Sequence, residues 1–556
     1  MKKHLFWIAS IALGAVACTD KDMAPEDVAT PAEPGTEQTV TSNLQTAKLA
    51  TFKSSKDRVT LNPETRDGDE IKTLELIAEI GNLSQEGKIS GFVQETGGRY
   101  LSATCVYYDQ TTGTFYTTYH MQGNNYNTTQ TNETGGFIET FTLDENDKPE
   151  VGAVYMAADP SNLSFDFNHL YFDVLDNTYM TYNGKDAGSK RIIAVGHKSE
   201  PSSKVGGEPN TAGIIARLNL EDPSNPSIDY EVVYTGEKIL DAEGKSLGKE
   251  DVSDVNCVLR KSNYYYLATR KGIAVLNAKD DNLFTPIHDY VPSGEYNDNG
   301  QEKMKFDEES VYFIKTPGSA KHLDHIYTNS HFSLLYLSEP YDNVTKDTES
   351  VANIINFSME TGGGTLCGSN TSDYGTDGPN ILNSKNVDIT TWSPNVNQTK
   401  ISQANVSPVD GKNVLALDNN GMLAACLGKG GLYVKYNEFG HNTIKTFSDK
   451  KDGTGSRPVN GVFIENYENV NGYRSNDGFF YVANGACLTI LDANTLEPIA
   501  EYSAFDSKAD TNLASANYVH VVKSEKMTNG VTPDRIVTVA YGQEGVKVFR
   551  FVPPVK

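Results

Sequence analysis

The stretch that decides the fold is Phe479–Ser503, FFYVANGACLTILDANTLEPIAEYS. It reads as two apolar runs of strand length joined by a short glycine-containing turn, with an exit through Asp492 from the second run. Two such runs around a tight turn are the pattern of a β-hairpin and not of a helix. The same pattern recurs as RIVTVAYGQEGVKVFRF from Arg535, LAACLGKGGLYVKYN from Leu423 and YYYLATRKGIAVLNA from Tyr264. In each unit a small residue follows the turn: Gly272, Gly431, Cys487 and Gly545. The last three recur about 56 to 58 residues apart, a period that signals a repeat architecture. Three further segments fit more loosely: GIIARLNLEDPSNPSIDYEVV from Gly213, DHIYTNSHFSLLYLSEP from Asp324 and GGFIETFTLDENDKPEVGAVY from Gly135.

Seven such units, each long enough for four short strands, predict an all-β chain. Its expected form is a β-propeller, in which radial repetition leaves only short sheet edges. Seven blades are expected, or eight if the gap between His331 and Gly431, which holds METGGGTLCGSNTSDYGTDG, contains one more. A β-sandwich or a multidomain all-β chain is the competing architecture. The exits IIARLNLEDPSNP and LTILDANTLEP resemble the LVIVD repeat of exported bacterial proteins, with a glycine-led strand, an Asp-Pro-type turn and a further strand. That resemblance covers about half the chain and implies fold, not function.

The N-terminus, MKKHLFWIASIALGAVACTDKDMAPED, supplies an address. Lys2 and Lys3 precede an apolar run, Leu5–Ala17, that is too short to span a bilayer, so the segment reads as a secretory signal. Ala15-Val16-Ala17 before Cys18 resembles the lipobox of bacterial lipoproteins, with Ala15 where that family usually has Leu. The resemblance implies cleavage before Cys18 and diacylation of its sulfur, which anchors the mature chain. The competing reading is an ordinary cut after Ala17 that leaves Cys18 free. Asp20, Asp22, Glu26 and Asp27 look like the acidic signal that sends lipoproteins of Bacteroidota to the outer leaflet of the outer membrane. A Thr-, Pro- and acid-rich stretch follows. The expected organisation is therefore a signal at 1–17, a lipidated flexible tether at 18–70 and a propeller at 71–556.

Composition limits the partners. The chain has 556 residues, 38% of them hydrophobic, and a formal charge of -25, which grows more negative when Lys2 and Lys3 leave. A surface so acidic is unsuited to a phosphate backbone, which excludes nucleic acid. Cys105, Cys257, Cys367, Cys426 and Cys487 contain no CxxC and mostly lie in apolar runs, so they read as small core residues and not as a disulfide framework.

Catalytic signatures are absent: there is no GxSxG, HExxH, P-loop, GxGxxG or EF-hand loop. No cofactor is expected beyond calcium, for which the acidic turns DENDKPE and DNNG have a suitable composition and an equally good reading as solvated hairpin tips. HLDHIYTNSH gathers His322, Asp324, His325 and His331, a density compatible with a metal, although His322 and His325 point to opposite faces of an extended strand. If the repeated hairpins join second to third strands, their turns place Arg270, Lys271, Asn329 to His331, Lys429, Asn484, Tyr541, Gln543 and Glu544 around one rim as candidate ligand-binding residues. Arg270, Lys271 and Lys429 would attract an anion there. Tyr- and Asn-rich loops such as VPSGEYNDNGQ suit adaptable recognition. The leading expectation is a surface lipoprotein of the outer membrane that captures a nutrient, such as a metal chelate, haem or a glycan, for an outer-membrane transporter. The alternatives are an adhesive protein contacting host or neighbour proteins, and a propeller-type lyase or glycoside hydrolase whose carboxylates assemble only in three dimensions.

Overall fold

The computed structural model describes residues 47–62, 72–83, 89–90, 100–110, 112–122, 136–156, 164–174, 190–199, 211–220, 226–235, 238–241, 246–249, 255–261, 264–269, 272–278, 283–285, 289–296, 298, 300, 302–307, 313–315, 320–325, 331–338, 351–358, 397–401, 415–417, 423–428, 430–438, 441–447, 457–465, 478–504 and 514–555. The signal, Cys18, Arg270, Lys271, Lys429, Trp392 and the glycine-rich gap lie outside these residues. The fold is all-β, and among the described residues the only helix is a three-residue 3-10 turn at Lys56–Arg58. No described helix is long and apolar enough to cross a membrane.

The strands form antiparallel meanders, numbered I to VII here in chain order, with I and VII joined into one sheet through the pair Gly542↔Ala103. Meander I holds Tyr100–Asp109, Thr114–Gln122, Phe137–Leu143 and Pro149–Met156. Meander II holds Ser164–Val174, Lys190–Ser199, Thr211–Asn219 and Ser227–Thr235, with two short strands added outside. Meander III holds Cys257–Lys261, Tyr264–Thr269, Gly272–Asn277 and Phe313–Lys315, and a separate hairpin of Asp289–Tyr296 and Glu302–Asp307 precedes its last strand. Meander IV holds Ala320–His325, His331–Ser338, Val351–Ser358 and Asn397–Ile401. Meander V holds Leu415–Leu417, Leu423–Cys426, Leu432–Glu438 and His441–Phe447. Meander VI holds Val459–Glu465, Phe479–Asn484, Cys487–Asp492 and Pro498–Ser503.

Meander VII is built from both ends of the chain. Ala514–Lys523, Arg535–Gly542 and Val546–Phe551 supply three strands, and Leu74–Ile80 pairs with the last of them from Val546↔Ile80 to Phe551↔Leu74. The turn at its second hairpin requires glycine: Gly545 has φ +86°, and a Cβ there would overlap the Ile80 carbonyl oxygen.

The second-to-third-strand hairpins match the four stronger repeats. Asn484 pairs with Cys487 across a Gly485-Ala486 loop, and Thr269 with Gly272. The three looser segments differ: the two runs from Asp324 are the first and second strands of meander IV, and those from Gly213 and Gly135 are the third and fourth strands of meanders II and I. Two apolar runs around a polar turn look alike in sequence whichever pair of strands they become.

The first strand of each meander packs against the first strand of the next, and that of VII also contacts that of I. The second strands of VI and VII, Phe479–Asn484 and Arg535–Gly542, are buried at every position, which explains why they read as continuous apolar runs. Apolar layers between meanders join Val195, Ile215, Val258 and Leu267 in one cluster and Tyr481, Val519, Val539 and Phe549 in another.

Residues 47–61, expected in the tether, belong to the sheets. Ala47–Lys48 pairs with meander II, Ala50–Ser54 with the outer strand of meander I, and Val59–Leu61 with Leu74–Ile80. This strap satisfies outer edges that would otherwise be exposed templates for aggregation. It is pinned by Arg58, whose guanidinium donates to Glu139 through both Nη atoms, with Nη2–Oε2 at 3.0 Å, and through Nε to Gly81 O at 2.9 Å. Tyr119 Oη donates to the same carboxylate at 3.1 Å. Both partners are buried.

Two outcomes follow for urea unfolding. Arg58→Ala leaves Glu139 buried without its cation and should lower stability by about 3–5 kcal/mol, more than Glu139→Gln paired with Arg58→Met. Gly545→Ala should lower it by about 2–4 kcal/mol by forcing the closing strand away from Val546–Phe551.

Candidate functional site

The candidate site grows from a repeated clamp. Asn168 Nδ2 donates to Val255 O at 3.1 Å, Asn256 Nδ2 to Ala320 O at 2.8 Å, Asn460 Nδ2 to Ala516 O at 2.8 Å and Asn517 Nδ2 to Ala103 O at 2.9 Å. Each acceptor is the residue just before the corresponding position in the next meander: Asn256, Lys321, Asn517 and Thr104. One side-chain amide per strand thus fixes the height of its neighbour, at net values of about 1 kcal/mol per bond. Asn82 adds a further clamp to Leu101 O at 2.7 Å and Gln543 O at 2.8 Å.

The residue after each clamp position forms one layer: Cys105, His169, Cys257, His322, Gly461 and Tyr518. Gly461 is small because a Cβ would stand 2.9 Å from Asn517 O and 3.3 Å from Tyr518 Cα. Within the layer, His169, Cys257 and His322 come from meanders II, III and IV, and their ligand-type atoms lie within 4.8 Å of one another. The two imidazoles meet edge to face at 5.4 Å between centroids. Tyr107 packs its ring against His169 at 5.6 Å and against Tyr518 at 5.4 Å.

The electrostatics keep this layer neutral. Burial, with repulsion from His322, holds the His169 imidazole well below its usual range, and burial lowers His322 to about 4. His169 retains some solvent-accessible edge while its ring is densely surrounded, and the dense surroundings control its charge. Burial also pushes the Cys257 thiol up, against a hydrogen bond to Leu323 O at 3.6 Å and with help from the Asp324 carboxylate. Cys105, the other cysteine of the layer, donates to Asn168 O at 3.9 Å. The four described cysteines are buried thiols outside any disulfide. Further along the same strands, Phe463 and Tyr108 flank His520 at 5.2 and 5.5 Å, and burial lowers that imidazole to about 4.

His322 of the HLDHIYTNSH cluster therefore faces His169 and Cys257, residues far away in sequence, while His325 and His331 lie elsewhere on meander IV. His331 opens a second strand, so it stands at a first-to-second turn and apart from the hairpin type that carries Asn484 and Tyr541. Asn484 is wholly buried and its side chain bonds Thr489 Oγ1 at 3.0 Å. Tyr541 is wholly buried too, under Lys547 at 5.5 Å from its ring centroid. Gln543 and Glu544 are half-buried, with Glu544 3.2 Å from Lys547. In the acidic turn DENDKPE, Asp144 Oδ1 already accepts from the backbone N–H groups of Asn146 and Lys148, each at 2.8 Å.

The clamp asparagines had a readable signal. FNHL, VNCV, VNGV and ANYV share an Asn, one variable residue and a β-branched or Leu residue after an apolar or small one, and that pattern locates the inner strands directly.

No protein-family model and no curated protein matches the chain. Among solved structures, it is similar to the extracellular domain of a putative hybrid two-component system from B. thetaiotaomicron, with a TM-score of 0.37 and 10% identity over 82% of this chain. The chain spans 41% of that protein's length. It is also similar to Saccharomyces cerevisiae Sqt1, with a TM-score of 0.35 and 10% identity, covering 82% of this chain and 97% of the yeast chain.

The depressed His520 value gives a pH dependence. Unfolded histidine protonates near 6.5 and the folded ring near 4, so the unfolded state takes up the proton first as pH falls. Stability contributed at neutral pH should be lost between about 6.5 and about 4, by about 3 kcal/mol at most for this group. Urea midpoints measured across that range should fall less steeply in His520→Phe than in the parent.

Proposed function

We propose that the chain is a lipid-anchored, surface-displayed β-propeller that works as a non-catalytic binding body. The observation that carries the reading is the sequence of first-strand contacts from meander I through VII and back to I, together with the Leu74–Ile80 strand that completes meander VII. Four-stranded antiparallel units arranged in this order are the blades of a seven-membered propeller, and a last blade completed by an N-terminal strand is a means of closing one. The layer of Cys105, His169, Cys257, His322 and Tyr518 then lies around the axis and obstructs it, so a large ligand is taken at an end face or an outer loop. Tyr296, 63% exposed on the hairpin inserted in meander III, supports such recognition: it offers a rigid aromatic surface beside Asn297 and Asn299. The ligand class remains that of a nutrient, metal chelate, haem or glycan, delivered to an outer-membrane transporter. Cys18 carries the acyl chains, and the acidic residues after it direct the chain to the outer leaflet.

Protease shaving of intact cells tests the address. Parent protein should be cleaved from whole cells between Cys18 and the strap, while Cys18→Ala should appear in the soluble fraction. Protection of the parent until the outer membrane is broken would refute surface display.

A further inference from the structure

Meanders II, III and IV each contribute one metal-ligand side chain to the same layer, and the chemistry of the three has no use in the packing described so far. We propose that His169, Cys257 and His322 form a binding site for one divalent cation of the zinc class. Three observations carry this. The donor set of two imidazoles and one thiol is that of borderline-soft ions, and three protein ligands leave a fourth position for water, as in open zinc sites. The candidate atoms lie within 4.8 Å of one another although their residues are 88 and 65 positions apart in sequence, so the fold gathers them. His322 is 5% exposed, and its Nδ1 has no hydrogen-bond partner. A buried ring nitrogen left without a partner is costly, and a cation supplies one.

The remaining contacts are loosely held. His169 Nδ1 accepts from Val258 N–H at 3.5 Å, the outer limit of such a bond, and the Cys257 thiol donates to Leu323 O at 3.6 Å, a weak bond that a metal can replace. Ions of this class bind nitrogen at about 2.0–2.1 Å and thiolate at about 2.3 Å, which sets tetrahedral ligand atoms about 3.3–3.6 Å apart, so the three groups need to close by no more than about 1.5 Å. Side-chain torsions can supply that on strands held by the asparagine clamps. On binding, the Cys257 S–H bond breaks, its proton leaves to solvent, and the sulfur electron pair forms the metal–thiolate bond. Asp324, two residues from His322 and therefore on the same side of its strand, adds negative charge to the neighbourhood. The inference rests on these residues and is independent of the surface address.

The test uses the purified full chain, stripped with a chelator and titrated with cobalt(II) and then zinc. One equivalent of cobalt should give a thiolate-to-metal charge-transfer band that one equivalent of zinc removes. Cys257→Ser should abolish the band, His169→Asn and His322→Asn should each weaken zinc binding at least tenfold, and Cys426→Ala, in another meander, should leave both unchanged. Absence of the band in the parent protein, or zinc affinity unaltered in folded variants, would overturn the site. If the variants fail to fold, X-ray absorption of the zinc-loaded parent decides: one sulfur and two imidazoles support the assignment, and a shell of light atoms without sulfur refutes it.

Discussion

The pairing of Leu74–Ile80 with Val546–Phe551 is the contact on which the arrangement depends. The four main strands of every other meander come from one stretch of chain. Meander VII alone draws on both ends, so it converts a linear series of antiparallel sheets into one in which the last unit is built on the first segment. Its side chains show the demand for fit. Val546, Val548, Phe549 and Phe551 are buried, Ile80 is buried opposite Val546, and Lys547 reaches Glu79 across the pair.

The asparagine clamps solve a different problem. Apolar layers between sheets are non-directional and tolerate sliding. A side-chain amide donating to a single backbone carbonyl does not slide without leaving a buried polar group unmatched. Placed on the first strands, the clamps align meanders II with III, III with IV, VI with VII and VII with I. The layer of Cys105, His169, Cys257, His322, Gly461 and Tyr518 inherits that alignment, which is why residues distant in sequence meet at one height.

The hairpins were legible in the sequence because they carry two independent signals, continuous apolar runs and turns with glycine or Asn-Gly. Gly545 is the clearest case, since the turn and the neighbouring Ile80 carbonyl both require it. The meeting of His169, Cys257 and His322 was not legible. It depends on contacts between meanders, and within HLDHIYTNSH the nearer histidines drew attention to local partners that an extended strand cannot bring together. The strap was concealed for another reason. Residues 47–61 mix polar and apolar side chains because they add to outer edges, where half of each strand faces solvent, so they resemble a linker until their pairing is known.

That strap also determines how the molecule bears force. Any pull on the chain ahead of residue 47 is delivered to the two-residue pairing at Ala47–Lys48 and then to Ala50–Lys53, before it reaches Val59–Leu61 and the closing strand. The weak contacts are first in line, and the buried Arg58–Glu139 pair stands between them and the closure. By that order of connection the shortest pairings carry a load first, and the Leu74–Ile80 pairing carries it last.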